Sequence, residues 1–142
     1  MKSYLVFLFG VIVAMQFITV DETNKPIDEK KALHPPKDVE AIMIKACYDC
    51  HSDRVRYPWY SKVAPMSWTI AHHIKQGKLA LNFSKWSEIP KDVKKKRLER
   101  AVQTTGRVMP LPTYKWIHKD AILKKEEIKR LREYFESLLS TL

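Results

Sequence analysis

Cys47-Tyr48-Asp49-Cys50-His51 holds both cysteines of this 142-residue chain and sets a histidine directly after the second. Two cysteines three positions apart and followed at once by histidine have the spacing of covalent haem attachment. On one helical turn, residues three apart share a face. Cys47 and Cys50 then reach the two vinyl groups of a haem, and His51 brings its imidazole beneath the iron. Other uses of the pair fit less well. A structural zinc site needs four Cys or His ligands, and there is no second cysteine pair to complete it. A redox dithiol belongs in a βαβ setting that the flanking residues do not supply. A disulfide across so short a separation would close a small, strained loop.

Upstream, Tyr4 to Val20 is almost wholly apolar, with Lys2 before it and Asp21 and Glu22 after. Residues 1–20 read as a signal peptide or a membrane anchor. The stretch has no small-x-small cleavage pattern and no cysteine for lipidation, which favours an uncleaved anchor only just long enough to span. The flanking charges put the rest of the chain on the outer, periplasmic side of the cytoplasmic membrane. Residues 21–36 are polar, contain Pro26, Pro35 and Pro36, and lack apolar periodicity, so they read as a tether. Residues 37–142 suffice for one domain. Three glycines and few β-branched runs disfavour a sheet, and the expected fold class is all-α.

The spacing predicts a helix from about Asp38 to the cysteine motif, with Val39, Ile42, Met43 and Ala46 facing inward. Tyr57-Pro58-Trp59-Tyr60 forms an aromatic loop. Pro65 opens a second helix reaching Gly77, and Pro90 opens a third, Lys91 to about Thr105, which Gly106 caps. A last helix, about Lys124 to Leu139, carries Ile128, Leu131, Phe135, Leu138 and Leu139 at core spacing.

The motif with Ala46 and Ser52, Tyr57-Pro58-Trp59-Tyr60-Ser61 and Val63-Ala64-Pro65 form the start of an ordered series. It continues through Ser67-Trp68, Ala71-His72, Gly77, Leu81-Asn82-Phe83-Ser84 with Trp86, Met109-Pro110-Leu111-Pro112, Tyr114 and His118. From about residue 24 to its end the chain resembles the small bacterial haem-binding domain family, related to the c-type cytochromes. The resemblance implies an all-α, cytochrome c-like fold around one covalent haem c. It does not imply a particular partner or activity.

Met109 stands where cytochrome c-like domains present their distal thioether, which makes it the leading candidate for the sixth iron ligand beside the proximal His51. Pro110 and Pro112 stiffen its loop and lower the entropic cost of holding the sulfur. The competing readings are His72 in the second helix, with His73 pointing elsewhere, and an open sixth position. Met43 and Met66 read as core packing, His118 as bonded to backbone, and His34 as solvated. Trp59, Tyr60, Trp68, Phe83, Trp86, Tyr114 and Trp116 are expected mainly in the core, although any could wall a porphyrin. Arg54, Arg56 and Arg107 are candidate donors to a haem propionate.

The 26 Lys and Arg against 16 Asp and Glu give a net charge of +10. Lys94-Lys95-Lys96-Arg97, Lys124-Lys125 and Lys129-Arg130 read first as solvated helix faces. So basic a surface also steers an acidic redox partner and favours anionic lipid. Nucleic acid is not expected as a partner of an exported haem domain. The leading expectation is a single-electron carrier in which Cys47 and Cys50 hold the haem and His51 and Met109 ligate its iron. The alternative is a peroxidase-like haem enzyme or a gas- or redox-responsive module with an open sixth position, using His72 and Arg107.

Overall fold

Val39, Ile42 and Met43 recur on one side of α2 (Lys37–Ala46), and all three are buried, with Val39 and Met43 fully so. The computed structural model, which describes residues 2–142, packs this stripe against α7 (Lys125–Ser140) through Leu131, Tyr134 and Phe135. Leu98 of α5 (Lys91–Thr104) closes the same core. Phe83, in the 3₁₀ turn Phe83–Glu88, stacks on Phe135 at a centroid distance of 6.4 Å and meets Tyr48 at 6.0 Å. Tyr48 opens α3 (Tyr48–His51), so one hydrophobic cluster reaches from the C-terminal helix to the cysteine motif.

The remaining elements are α1 (Lys2–Met15), α4 (Met66–Ala80) and α6 (Pro112–Ile117), with 3₁₀ turns at Trp59–Lys62 and Lys119–Ala121. The described residues form no strand, only an isolated bridge between Thr105 and Met109, so the all-α expectation holds. The predicted helices appear at α2, α4, α5 and α7. Helix α4 runs three residues past Gly77, because this glycine is a packing site inside the helix and Leu81, in extended backbone, ends it. Gly106 lies just beyond α5 with φ of 77°, the left-handed conformation expected of a glycine after a helix end.

Helix α1 is apolar around its circumference and none of its residues is buried. No helix among the described residues is long and apolar enough to cross a membrane. The end of this segment is bonded to the domain. Gln16 donates to the Ala64 carbonyl and accepts from the Ala64 N–H, and the Trp68 indole N–H donates to the Ile18 carbonyl at 3.0 Å. The polar stretch 21–36 also lies against the domain. Asn24 makes a reciprocal pair of bonds with the Val55 backbone, and the Leu33 N–H donates to the Phe83 carbonyl at 2.8 Å. Backbone bonds of this kind carry no apolar periodicity, which is why the segment reads as a tether in sequence.

Two ion pairs tie α2 to α7, Arg130 to Asp38 and Lys45 to Glu127, both at 2.6 Å. Glu127 also accepts the Lys124 backbone N–H at 2.8 Å, satisfying a donor at the helix start. Burial works to raise the Glu127 carboxyl, but the bonds from Lys45 and Lys124 outweigh it and hold it below its ordinary value. A depressed carboxylate stabilises the fold above its unfolded pKa, and that contribution disappears as pH falls through the folded value. Glu127→Gln is therefore expected to lose about 1 kcal/mol near neutral pH and to show a shallower loss of stability below about pH 5 than the parent, measured by urea unfolding across pH.

Candidate haem site

The Met43 carbonyl accepts the Cys47 N–H at 2.8 Å and ends α2, and the Cys47 carbonyl accepts the N–H groups of Cys50 at 3.2 Å and His51 at 2.9 Å. The motif is thus one tight turn, hinged at Cys47. Ser52, almost fully buried, closes it: its hydroxyl donates to the Tyr48 carbonyl at 2.8 Å and accepts the Arg54 N–H at 3.0 Å.

Helix α4 crosses this turn at Gly77. A Cβ at that position would stand 2.9 Å from the Cys50 carbonyl carbon and 3.0 Å from the Cys50 Cβ, with the carbonyl oxygen closer still. Only glycine permits that approach. The chain leaving α4 then supplies the partner of the histidine, as the Leu81 carbonyl lies 2.9 Å from His51 Nδ1. A carbonyl oxygen cannot donate, so Nδ1 carries the proton and Nε2 keeps a free lone pair. That is the tautomer and support a metal-ligating imidazole needs. Burial lowers the His51 pKa against the smaller opposing effect of the backbone carbonyls, so the ring is neutral near pH 7.

The rest of Leu81-Asn82-Phe83-Ser84 locks the same side. The Ser84 hydroxyl accepts the Asp53 N–H at 2.9 Å, Asn82 donates to Asp53 at 3.3 Å, and Lys78 pairs with Asp53 at 2.8 Å. Both cysteines are free thiols. Burial pushes Cys47 up to about 12 and Cys50 up to about 11, so both stay protonated, unlike a low-pKa redox pair. Among the described residues no group of three or more His, Cys, Asp or Glu side chains is placed to hold a metal ion. An open cleft of about 840 Å³ lies elsewhere, lined by residues including Tyr57, Ile74, Lys78 and Val93, and contains none of Cys47, Cys50, His51 or Met109.

Two paired thiols beside an imidazole with its second nitrogen free fit a haem. The family comparison agrees, since the family model of the haem-binding domain matches residues 10–137. The chain belongs to the haem-binding domain family. No curated protein and no solved structure matches it. Haem is therefore its cofactor.

Met109 sits half-buried at the end of a tight loop. The Thr104 carbonyl accepts the N–H groups of Arg107, Val108 and Met109, and the Met109 carbonyl accepts the Gly106 N–H at 2.8 Å. Arg132 of α7 donates to the Thr105 carbonyl at 2.6 Å, while its buried Nε has no partner. His72 is exposed on α4, and Arg107 is exposed on the loop.

Several sequence expectations need correction. Met66 is 41% exposed and is no core residue, whereas Met43 is fully buried. Trp59 and Trp116 are exposed, because the 3₁₀ turn and the short α6 turn their sides outward, while Phe83 alone of the seven aromatics is fully in the core. Arg54, a candidate propionate donor, pairs with Glu29 and Glu40, and Arg56, another, pairs with Asp49. His34 is exposed, as expected, with its ring against the Glu29 carbonyl. His118 meets the Tyr114 backbone, as expected, and also the Tyr60 hydroxyl at 3.0 Å.

Sequence reasoning passed over Asp49, a charged residue inside the motif that is 7% exposed. The visible signal was a carboxylate between two cysteines with Arg56 seven residues on. Gly77→Ala tests the crossing. Alanine is the better helix former by about 1 kcal/mol, yet the clash with Cys50 is expected to lower stability by about 1–3 kcal/mol. Thermal unfolding of the haem-loaded chain would show it, and a raised melting temperature would mean that α4 does not press on the motif.

Proposed function

We propose that this protein is an exported monohaem c-type cytochrome, held at the periplasmic face of the cytoplasmic membrane, that carries single electrons. The observation that carries the reading is the His51–Leu81 bond beside Cys47 and Cys50. It leaves Nε2 available on the turn that bears both thiols. Cys47 and Cys50 would hold the haem covalently, each thiol adding across one vinyl group with its S–H hydrogen passing to the other vinyl carbon, so that two thioethers would form with no net redox change. His51 would hold the iron through Nε2 and Met109 through its thioether sulfur, which would raise the potential. The bound haem supplies a reversible one-electron change at iron. The protein orients it, sets its ligation and presents it to a partner.

The apolar, unburied α1 supports a membrane anchor. The basic surface supports an acidic electron-transfer partner. Lys95, Lys96, Lys124, Lys125 and Lys129 are exposed, and Lys94 lies over the Trp86 ring at 4.6 Å. The peroxidase-like reading has less support, since His72 and Arg107 are both exposed, one on α4 and the other on the loop after α5.

The test is the visible spectrum of the haem-loaded chain, oxidised, reduced, and reduced with carbon monoxide, together with haem staining after denaturation. Haem retained by the denatured chain and lost in the Cys47→Ala, Cys50→Ala double variant is expected. A low-spin reduced spectrum unchanged by carbon monoxide is expected too. Met109→Ala should then open the iron to carbon monoxide. Rapid carbon monoxide binding by the parent chain would shift the function to catalysis or sensing.

A further inference from the structure

Asp49 is the buried residue of the motif that the haem-attachment reading leaves without a task. Its carboxylate accepts the Arg56 backbone N–H at 3.0 Å, Arg56 Nε at 3.2 Å and a terminal guanidinium nitrogen at 2.9 Å. Its fourth partner comes from far along the chain, the Tyr114 hydroxyl at 2.5 Å. Tyr114 lies in α6, five residues after Met109. Its ring stacks on His118 at 4.1 Å, and His118 in turn meets the Tyr60 hydroxyl.

The Met109 loop therefore has two anchors. At its start, Arg132 of α7 holds the Thr105 carbonyl, and Gly106 packs against Ile128. At its exit, Tyr114 is fastened to the residue that stands between the haem-binding cysteines. The first anchor joins the loop to the core and the second joins it to the attachment turn itself. We propose that Asp49 and Tyr114 are positioning residues for the sixth iron ligand, holding the exit of the Met109 loop in register with the turn that fixes the haem. This rests on Met109 as that ligand.

The physical reason lies in the weakness of the bond being supported. A thioether is a neutral, soft donor on a flexible side chain, and its hold on iron depends on how little entropy remains to be lost when the loop closes. A part-buried, charge-assisted hydrogen bond at one end of the loop removes much of that freedom beforehand. Tyrosine hydroxyl and aspartate are matched for this. Burial and the Asp49 carboxylate both push the Tyr114 hydroxyl above its ordinary value, so it remains a donor throughout the working pH range.

The haem-loaded full chain is compared with Tyr114→Phe, Asp49→Asn and Met109→Ala, reading the ferric iron–thioether absorption band and the affinity of the ferrous form for carbon monoxide. Tyr114→Phe is expected to weaken the band and to lower by about tenfold or more the carbon monoxide concentration needed to change the reduced spectrum, so that binding shows where the parent's spectrum stays unchanged, the equivalent of one lost charge-assisted bond. Asp49→Asn should move both readouts in the same direction, and it decides the matter alone if Tyr114→Phe takes up no haem. If Met109→Ala opens the iron while the other two variants match the parent, the positioning role is overturned and Met109 stands. If Met109→Ala changes neither readout, Met109 is not the ligand and both readings fall.

Discussion

The contact on which the site depends is the meeting of α4 with the attachment turn at Gly77. Helix backbone lies directly against the Cys50 carbonyl, closer than any side chain would permit. Leu81, in extended backbone, ends α4 three residues past that approach, and this sets where its carbonyl stands. The carbonyl in turn selects the His51 tautomer and aims the free nitrogen. The His51 ring is thus oriented by a helix crossing rather than by its own neighbours in sequence.

Around that crossing, different kinds of interaction hold different parts. The core joins α2, α5 and α7 to Tyr48 by apolar packing, which is insensitive to the chemistry of the site. The proximal side, from Asp53 to Ser84, is held by a buried polar network whose members each have a partner, the arrangement that gives rigidity. The Met109 loop is held instead by backbone bonds to the Thr104 and Met109 carbonyls and, from outside the loop, by Arg132 and by the Tyr114–Asp49 bond.

Asp49 shows how a residue inside a familiar motif can serve the fold. The two positions between the cysteines are usually passed over, because the attachment chemistry involves only sulfur and imidazole. Here Tyr48 fills the core and Asp49 gathers Arg56 and Tyr114, so the intervening pair faces two ways, one apolar and one charged. The turn is thereby fixed from within the core and from the loop side at once.

The haem motif, the all-helical class and four of the main helices were legible from residue spacing, since these are local properties: periodicity, prolines at helix starts, a glycine at a helix end. Met43 was legible as core for the same reason. Gly77 was visible as a glycine but not as a crossing, and Asp49 was visible as a carboxylate but not as a clamp. The burial of Leu33 and the exposure of Met66, Trp59 and Trp116 were not visible at all. Each depends on which distant segment arrives beside it, and side-chain burial is decided by neighbours far away in the chain. The sequence by itself carried the family membership and the Cys47, Cys50 and His51 spacing on which the proposed haem attachment rests. Only the tertiary structure decided which carbonyl orients His51 and which side chain ties the Met109 loop to the motif, because both partners lie 30 or more residues away from the group they hold.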